Sequence, residues 1–257
     1  MALKMVSRVG RTLHVVMLAV VAAAVSPVMT TAAVVYQENF DGLGSTNLAG
    51  LAPDSAPGSE TWGGATEFKA NGFVSSAFAG IYLPFAPSPG FTYTLTGSFR
   101  VNSGSDWLGI GFAGGSPTST ARLSDNSGRG WVLAKSNQIQ SFIGPNGNNR
   151  TDQVTINTQN PGTVTTQTIT LDASSANPAN WRFSATQVIG STSYTVWNNQ
   201  PALITSAGDI TAIGLSSSSA SGTFTSFSLT AVPEPSTIAL AAVGLGLAAV
   251  AAARRRR

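Results

Sequence analysis

Between residues 34 and 232, apolar and polar positions alternate with a period of two in several places, and no stretch repeats at the helical period. Residues 91–101 show it best: the odd positions are apolar apart from Gly97, and the even ones are Thr, Ser or Arg. That pattern predicts a strand with one buried and one solvated face. Leu108, Ile110 and Phe112 alternate with Gly109 and Gly111 in the same way. Further strands are predicted over 131–134, 139–143, 164–171, 181–188, 194–197, 210–215 and 224–229. Turn clusters such as Gly144-Pro145-Asn146-Gly147 and Asn160-Pro161-Gly162 separate them. Many short strands punctuated in this way predict one all-β domain, an antiparallel sandwich or barrel. The run Ser216 to Ser219 reads as a loop inside that domain, because residues 223–229 resume the alternation at once.

The two ends differ from this body. Lys4, Arg8 and Arg11 precede an apolar run over 13–25, then Ser26-Pro27 and the small residues Thr31-Ala32-Ala33. This order predicts a secretory signal over residues 1–33 with a short helical apolar centre. At the other end, Pro233-Glu234-Pro235 leads into an apolar stretch over 237–253, and Arg254, Arg255, Arg256 and Arg257 follow. As a helix the stretch would reach ~25 Å at ~1.5 Å per residue, against a hydrocarbon core of ~30 Å. The arginines would remain cytoplasmic and leave the body outside. The expected division is therefore signal over 1–33, β domain over 34–232, and a tail over 233–257 with a membrane helix at 237–253.

Pro-Glu-Pro, a short apolar helix and a basic cluster, in that order, closely resemble the PEP-CTERM sorting signal of bacterial exported proteins. The resemblance implies processing by an exosortase, a membrane-embedded cysteine-type transpeptidase. It implies recognition at Pro233, Glu234 and Pro235, transient membrane attachment, and a final place at the cell surface or outside the cell. The prolines suit this role physically, since they hold the segment extended for a processing enzyme.

Composition narrows the chemistry. The pI of about 9.6 comes from the two ends: residues 34–232 hold seven Lys and Arg against ten Asp and Glu, a formal balance of −3. Such a body has no basic footprint for nucleic acid. The chain has no cysteine, and its one histidine, His14, lies in the N-terminal apolar run. The usual nucleophile–base pairs are thus missing from the body. A two-carboxylate glycosidase needs neither His nor Cys, but the acids are scattered through predicted turns, and no enzyme is expected.

Glu38-Asn39-Phe40-Asp41-Gly42, the segment from Asp106 to Phe112, and Ile213-Gly214-Leu215 followed by 224–229 are similar to elements of laminin-G-like and concanavalin-like jelly rolls. That resemblance implies a jelly-roll sandwich. It also implies a calcium site to which Glu38, Asn39 and Asp41 would contribute, although Thr225-Ser226 stand where the family commonly has Asp-Asn. Trp107 is out of phase with Leu108, Ile110 and Phe112 and should point away from them, beside Gly109 and Gly111. An aromatic ring over a shelf of glycines would offer a glycan contact. The expected function is a structural or adhesive surface or extracellular-matrix protein. The alternative is a carbohydrate-binding module that contacts extracellular polysaccharide.

Overall fold

The computed structural model describes residues 31–75, 77–103, 107–126, 128–135, 138–144, 150–155 and 162–234. The expected signal helix, the expected apolar tail helix and the turn residues 145–147 and 160–161 lie outside them. Among the described residues fourteen strands follow one another: β1 (Ala33–Glu38), β2 (Gly63–Gly64), β3 (Phe73–Val74), β4 (Ala79–Pro84), β5 (Phe91–Ser103), β6 (Trp107–Ala113) and β7 (Gly128–Ala134). Then come β8 (Gln138–Ile143), β9 (Arg150–Thr155), β10 (Val164–Ala173), β11 (Arg182–Ile189), β12 (Thr192–Pro201), β13 (Ala212–Ser218) and β14 (Ser221–Pro233). The helical content of the described residues is two three-residue 3-10 turns, Pro178–Asn180 and Ala207–Asp209. No helix among them is long and apolar enough to cross a membrane.

The strands form two sheets. One runs β1-β14-β5-β10-β11-β12, with β3 also on β14; the other runs β2-β4-β13-β6-β7-β8-β9. Each pairing for which a register is resolved is antiparallel. Both sheets mix sequence-distant strands: β14 joins β1, and β13 lies between β4 and β6, while β6 to β9 and β10 to β12 pair in sequence order. Residues 32–232 form one compact unit.

Alternation decides which side chains go inward. On β5 and β10 the buried positions include Leu95, Phe99, Ile169 and Leu171, and they meet Ile81, Ile110, Phe112, Val132 and Ile213 from the second sheet in one core cluster. Phe112 and Phe183 span the two layers, ring centroids 5.7 Å apart. The opposite face of the first sheet is a grid of short hydroxylated side chains. Thr94, Thr170 and Ser184 stand in one row across β5, β10 and β11, and Thr96, Thr168 and Thr186 in the next. This is the half-wet sheet that the alternation at 91–101 predicts.

Three features depart from the sequence expectation. Strands β1, β2, β3, β4 and β9 are additional. The serine run is not a loop: Ser216 to Ser218 complete β13 and are buried. Burial of three hydroxyls is tolerated because each has a partner. Ser216 Oγ accepts from the Leu123 N–H at 3.1 Å, Ser217 Oγ donates to the Ala220 carbonyl at 2.9 Å, and Ser218 Oγ accepts from Arg122 Nη1 at 3.1 Å. Finally, the second sheet is covered on both faces. The segment after β6 crosses its outer side, where the Gly80 N–H donates to the Thr120 carbonyl at 2.9 Å and the Tyr82 hydroxyl to the Ala121 carbonyl at 2.6 Å.

Candidate functional site

Trp107 has the phase that the sequence predicts. It belongs to a second cluster with Tyr82, Ala113, Leu123, Trp131, Leu133 and Ala212, on the far side of β6 from the main core. Its surroundings differ from the expectation, for the ring is only 6% exposed. The shelf beside it is occupied: a Cβ built on Gly111 would fall 2.2 Å from Trp131 Cβ. Trp131 packs 5.2 Å from Trp107 on one side and stacks on Phe142 at 4.2 Å on the other. Gly111 makes room for the protein's own Trp131, and Gly109 for the backbone at Val132 and Leu133.

Two of the three expected calcium ligands, Glu38 and Asn39, are likewise committed elsewhere. Glu38 is buried, at 6% exposure. Its Oε1 accepts from the Phe40 N–H at 2.9 Å and its Oε2 from Trp62 Nε1 at 3.2 Å. Burial raises its carboxyl above the ordinary range, and these two hydrogen bonds oppose the shift. Asn39 is held by Asp54, whose Oδ2 accepts from both its backbone N–H and its side-chain amide at 2.8 Å. Asp41 is exposed. Among the described residues no three Asp, Glu, His or Cys side chains gather as a metal would need. A hard cation wants several free oxygens, and donors already point at both oxygens of Glu38. The set does not fit a calcium ion: Glu38 and Asn39 instead fasten the end of the first strand to Trp62 and Asp54.

Sequence reasoning missed a cleft of about 620 Å³ at the edge of the sandwich. Val35 and Tyr36 of β1, Ala231 of β14, Pro57, and the turn from Pro84 to Tyr93 form its walls, and Glu60 is its carboxylate. The aromatic wall is rigid, with Phe85 edge-on to Tyr93 at 5.1 Å. The Tyr36 hydroxyl donates to the Pro84 carbonyl, fastening β1 to the turn. Burial, then the charge of Glu60, pushes that phenol up to about 12. Among the described residues no donor reaches the buried Glu60 Oε2. The signal for this cleft was faint: Glu60 follows Pro57-Gly58-Ser59, which reads simply as a turn.

Of the sorting residues, Pro233 ends β14 and Glu234 follows it, while Pro235 and Arg254 to Arg257 lie outside the described residues. On β14, Ala231 faces Ala33 of β1, so the chain enters and leaves the domain on neighbouring strands.

An antiparallel β-sandwich that passes straight into a Pro-Glu-Pro segment defines an exported body with a sorting tail. In agreement, residues 231–257 match the PEP-CTERM protein-sorting motif, which marks the chain for export and sorting to the cell surface and implies exosortase processing. A search of curated proteins finds no match. Among solved structures, the chain is similar to a lectin from Bauhinia forficata in complex with GalNAc, with TM-score 0.47 and 12% identity over 79% of this chain and 99% of that one. It is also similar to the metal-free lectin I-B4 from Griffonia simplicifolia, with TM-score 0.45 and 11% identity over 69% and 95%. A carbohydrate binding module from Bacillus subtilis gives TM-score 0.41 and 11% identity over 66% and 91%. The sandwich itself is defined by the strand pairing described above.

Proposed function

We propose that this is a bacterial surface or extracellular-matrix protein whose jelly-roll-type sandwich has a structural or adhesive role and no catalytic one. Residues 1–33 are removed on export. The tail over 233–257 holds the protein at the membrane, through a helix at 237–253, until an exosortase-type enzyme acts at Pro233-Glu234-Pro235. The observation that carries this reading is the sorting motif over 231–257, which begins within the last strand of the sandwich. The non-catalytic part is supported by a body without His or Cys and by a cleft with Glu60 as its single carboxylate, where a glycosidase needs two.

The test is the intact mass of the protein recovered from its native host, with and without the processing enzyme. The expected mass lacks residues up to about Ala33 and, only when the enzyme is present, the segment after about Pro235. A mass that keeps 237–257 in both strains overturns the sorting role. Hydrolysis of a polysaccharide by the purified protein, lost on replacing Glu60, overturns the non-catalytic one.

A further inference from the structure

The strand that leads out of the sandwich has one lightly closed edge. β14 lies between β5 and β1, and β1 is the edge strand of that sheet. The register of β1 shifts between Val34 and Tyr36, so Val35 is an extra residue that divides the strand in two. After Val35 the strand is anchored. Tyr36 and Glu38 are buried, and Gln37 exchanges two backbone hydrogen bonds of 3.1 Å with Ser55. Before Val35 it is not: Ala33 and Val34 are both exposed and put no side chain into the core. Pairing with Ala231 and Thr230 is their link to the sheet. The sorting motif over 231–257 starts at that same Ala231, so its first residue lies under the loose end of β1.

We propose that Ala33 and Val34 form a latch over the sorting segment, which the exosortase-type enzyme reads only after they have left the β14 edge. The inference rests on the sorting role proposed above. An enzyme that acts on an extended chain holds it by backbone hydrogen bonds, as an added strand does. The edge of β14 at Thr230 and Ala231 is already taken by β1, and two strands cannot occupy it together. Moving β1 is the less disruptive way to free it. β14 carries the buried Phe227 and Leu229 into the core, whereas the first two residues of β1 carry nothing there. Local opening is cheapest where few apolar contacts hold a segment. The bulge at Val35 supplies the hinge, and the anchored residues Tyr36 to Glu38 stop the opening from spreading along the strand. Removing the signal up to Ala33 also deletes one of the two latch residues. The first cleavage thus loosens the latch and prepares the second.

Two disulfide staples test this in the full chain, expressed in its native host. The sequence has no cysteine of its own to compete, and exported proteins meet an environment that oxidises thiols. Antiparallel partners have Cα atoms ~4.5–5.5 Å apart, within the ~4.4–6.8 Å that a disulfide spans. Val34→Cys with Thr230→Cys closes the latch, while Gln37→Cys with Ser228→Cys joins the same two strands beyond the bulge. Thiol titration confirms each bond, and intact mass over a time course gives the rate of tail loss. The first staple should slow tail loss roughly tenfold or more, because the state the enzyme needs is no longer populated. A reductant should restore the rate. The second staple should leave it as in the wild type. An unchanged rate with the first staple, or equal slowing by both, overturns the latch. A wild-type chain that keeps its tail throughout is a different failure: it overturns the sorting role, and the latch falls with it.

Discussion

Glu38 Oε2 accepts a hydrogen bond from Trp62 Nε1 at 3.2 Å, tying the end of β1 to a buried indole 24 residues further on. The other oxygen of the same carboxylate holds the Phe40 N–H at 2.9 Å, where the backbone takes the left-handed conformation with φ of 55°. Phe40 packs against Phe224, and Trp62 against Phe227, so one acid positions two aromatic contacts with β14. Replacing it with alanine leaves two donors without a partner. Glu38→Ala should therefore destabilise the domain by about 1–3 kcal/mol. Urea unfolding of the variant checks this.

The same residue sets a pH dependence. Because burial raises its carboxyl in the folded state, the native protein holds that proton more tightly than the unfolded chain. Its contribution is greatest below the ordinary carboxylate range near about 4 and declines as pH rises through the folded value. Asp209 has the opposite sign. Hydrogen bonds from the Thr205 and Ser206 N–H groups lower its carboxyl, so its contribution is present above the ordinary value and disappears on acidification through the lowered one. Glu38→Gln should flatten the decline towards neutral pH, and Asp209→Asn the loss in acid. The Asp209 effect should stay below about 1 kcal/mol, because the side chain is only partly buried and its charge is screened. Melting midpoints between pH 2 and 7, on the order of one point per unit, would separate the two slopes.

Trp107 separates a ligand contact from a packing element by its effect on stability. Buried against Trp131, it should cost about 3–5 kcal/mol when cut to alanine. A variant that keeps the wild-type unfolding midpoint would return the ring to the surface. Gly111→Ala is the complementary test: its Cβ would meet Trp131 Cβ, and overpacking of this kind costs about 1–3 kcal/mol.

How far such features can be read from the sequence depends on the range of the contacts that make them. The strand at 91–101 and the outward phase of Trp107 follow from the period of two, a property of neighbouring residues. What covers Trp107 does not: Leu123 lies 16 residues on, and Trp131 reaches Gly111 only because β7 pairs with β6 in that register. The serine run misled for the same reason, since three buried hydroxyls look like a loop until Leu123 and Arg122 arrive to bond them. Glu60 was invisible because the cleft is assembled from β1, the Pro84 turn and the end of β14. Glu38 was noticed for its chemistry but given the wrong task, as its partner Trp62 carries no local mark. The sorting motif over 231–257 was legible, because its signal is a linear order of residue types that needs no fold.

A pair of buried amides in the core offers a further prediction. Gln167 and Gln187 face each other across β10 and β11, Nε2 of the first donating to Oε1 of the second at 2.8 Å. Gln167 Oε1 also accepts from the Ile110 N–H of the opposite sheet at 3.3 Å, while Gln187 Nε2 has no partner among the described residues. Gln167→Leu strands the second glutamine and should cost about 1–3 kcal/mol. Adding Gln187→Leu removes the orphaned amide with it. The double variant should regain part of the loss, with a coupling of about 0.5–3 kcal/mol in a double-mutant cycle. Strict additivity in urea unfolding would mean that the two amides do not act as one unit.

The pairing of Ala33 with Ala231 sets the last prediction. β1 is hydrogen-bonded to β14 from Ala33↔Ala231 through Tyr36↔Leu229 to Glu38↔Phe227. Leu229 is fully buried and Ala231 nearly so. A chain stopped after Glu234 keeps every one of these pairs, so processing at the Pro-Glu-Pro segment leaves the sandwich whole. A chain stopped after Ser228 loses Leu229 and Ala231 from the core and frees the first half of β1. The shorter form should be less stable than the longer by about 2–5 kcal/mol, the cost of deleting a buried leucine. Amide exchange should then quicken at Val34 and Tyr36 while the β10–β11 pair keeps its protection. Equal stability of the two forms would show that β1 is held without its partner on β14, and that the last five residues of the strand serve the tail alone.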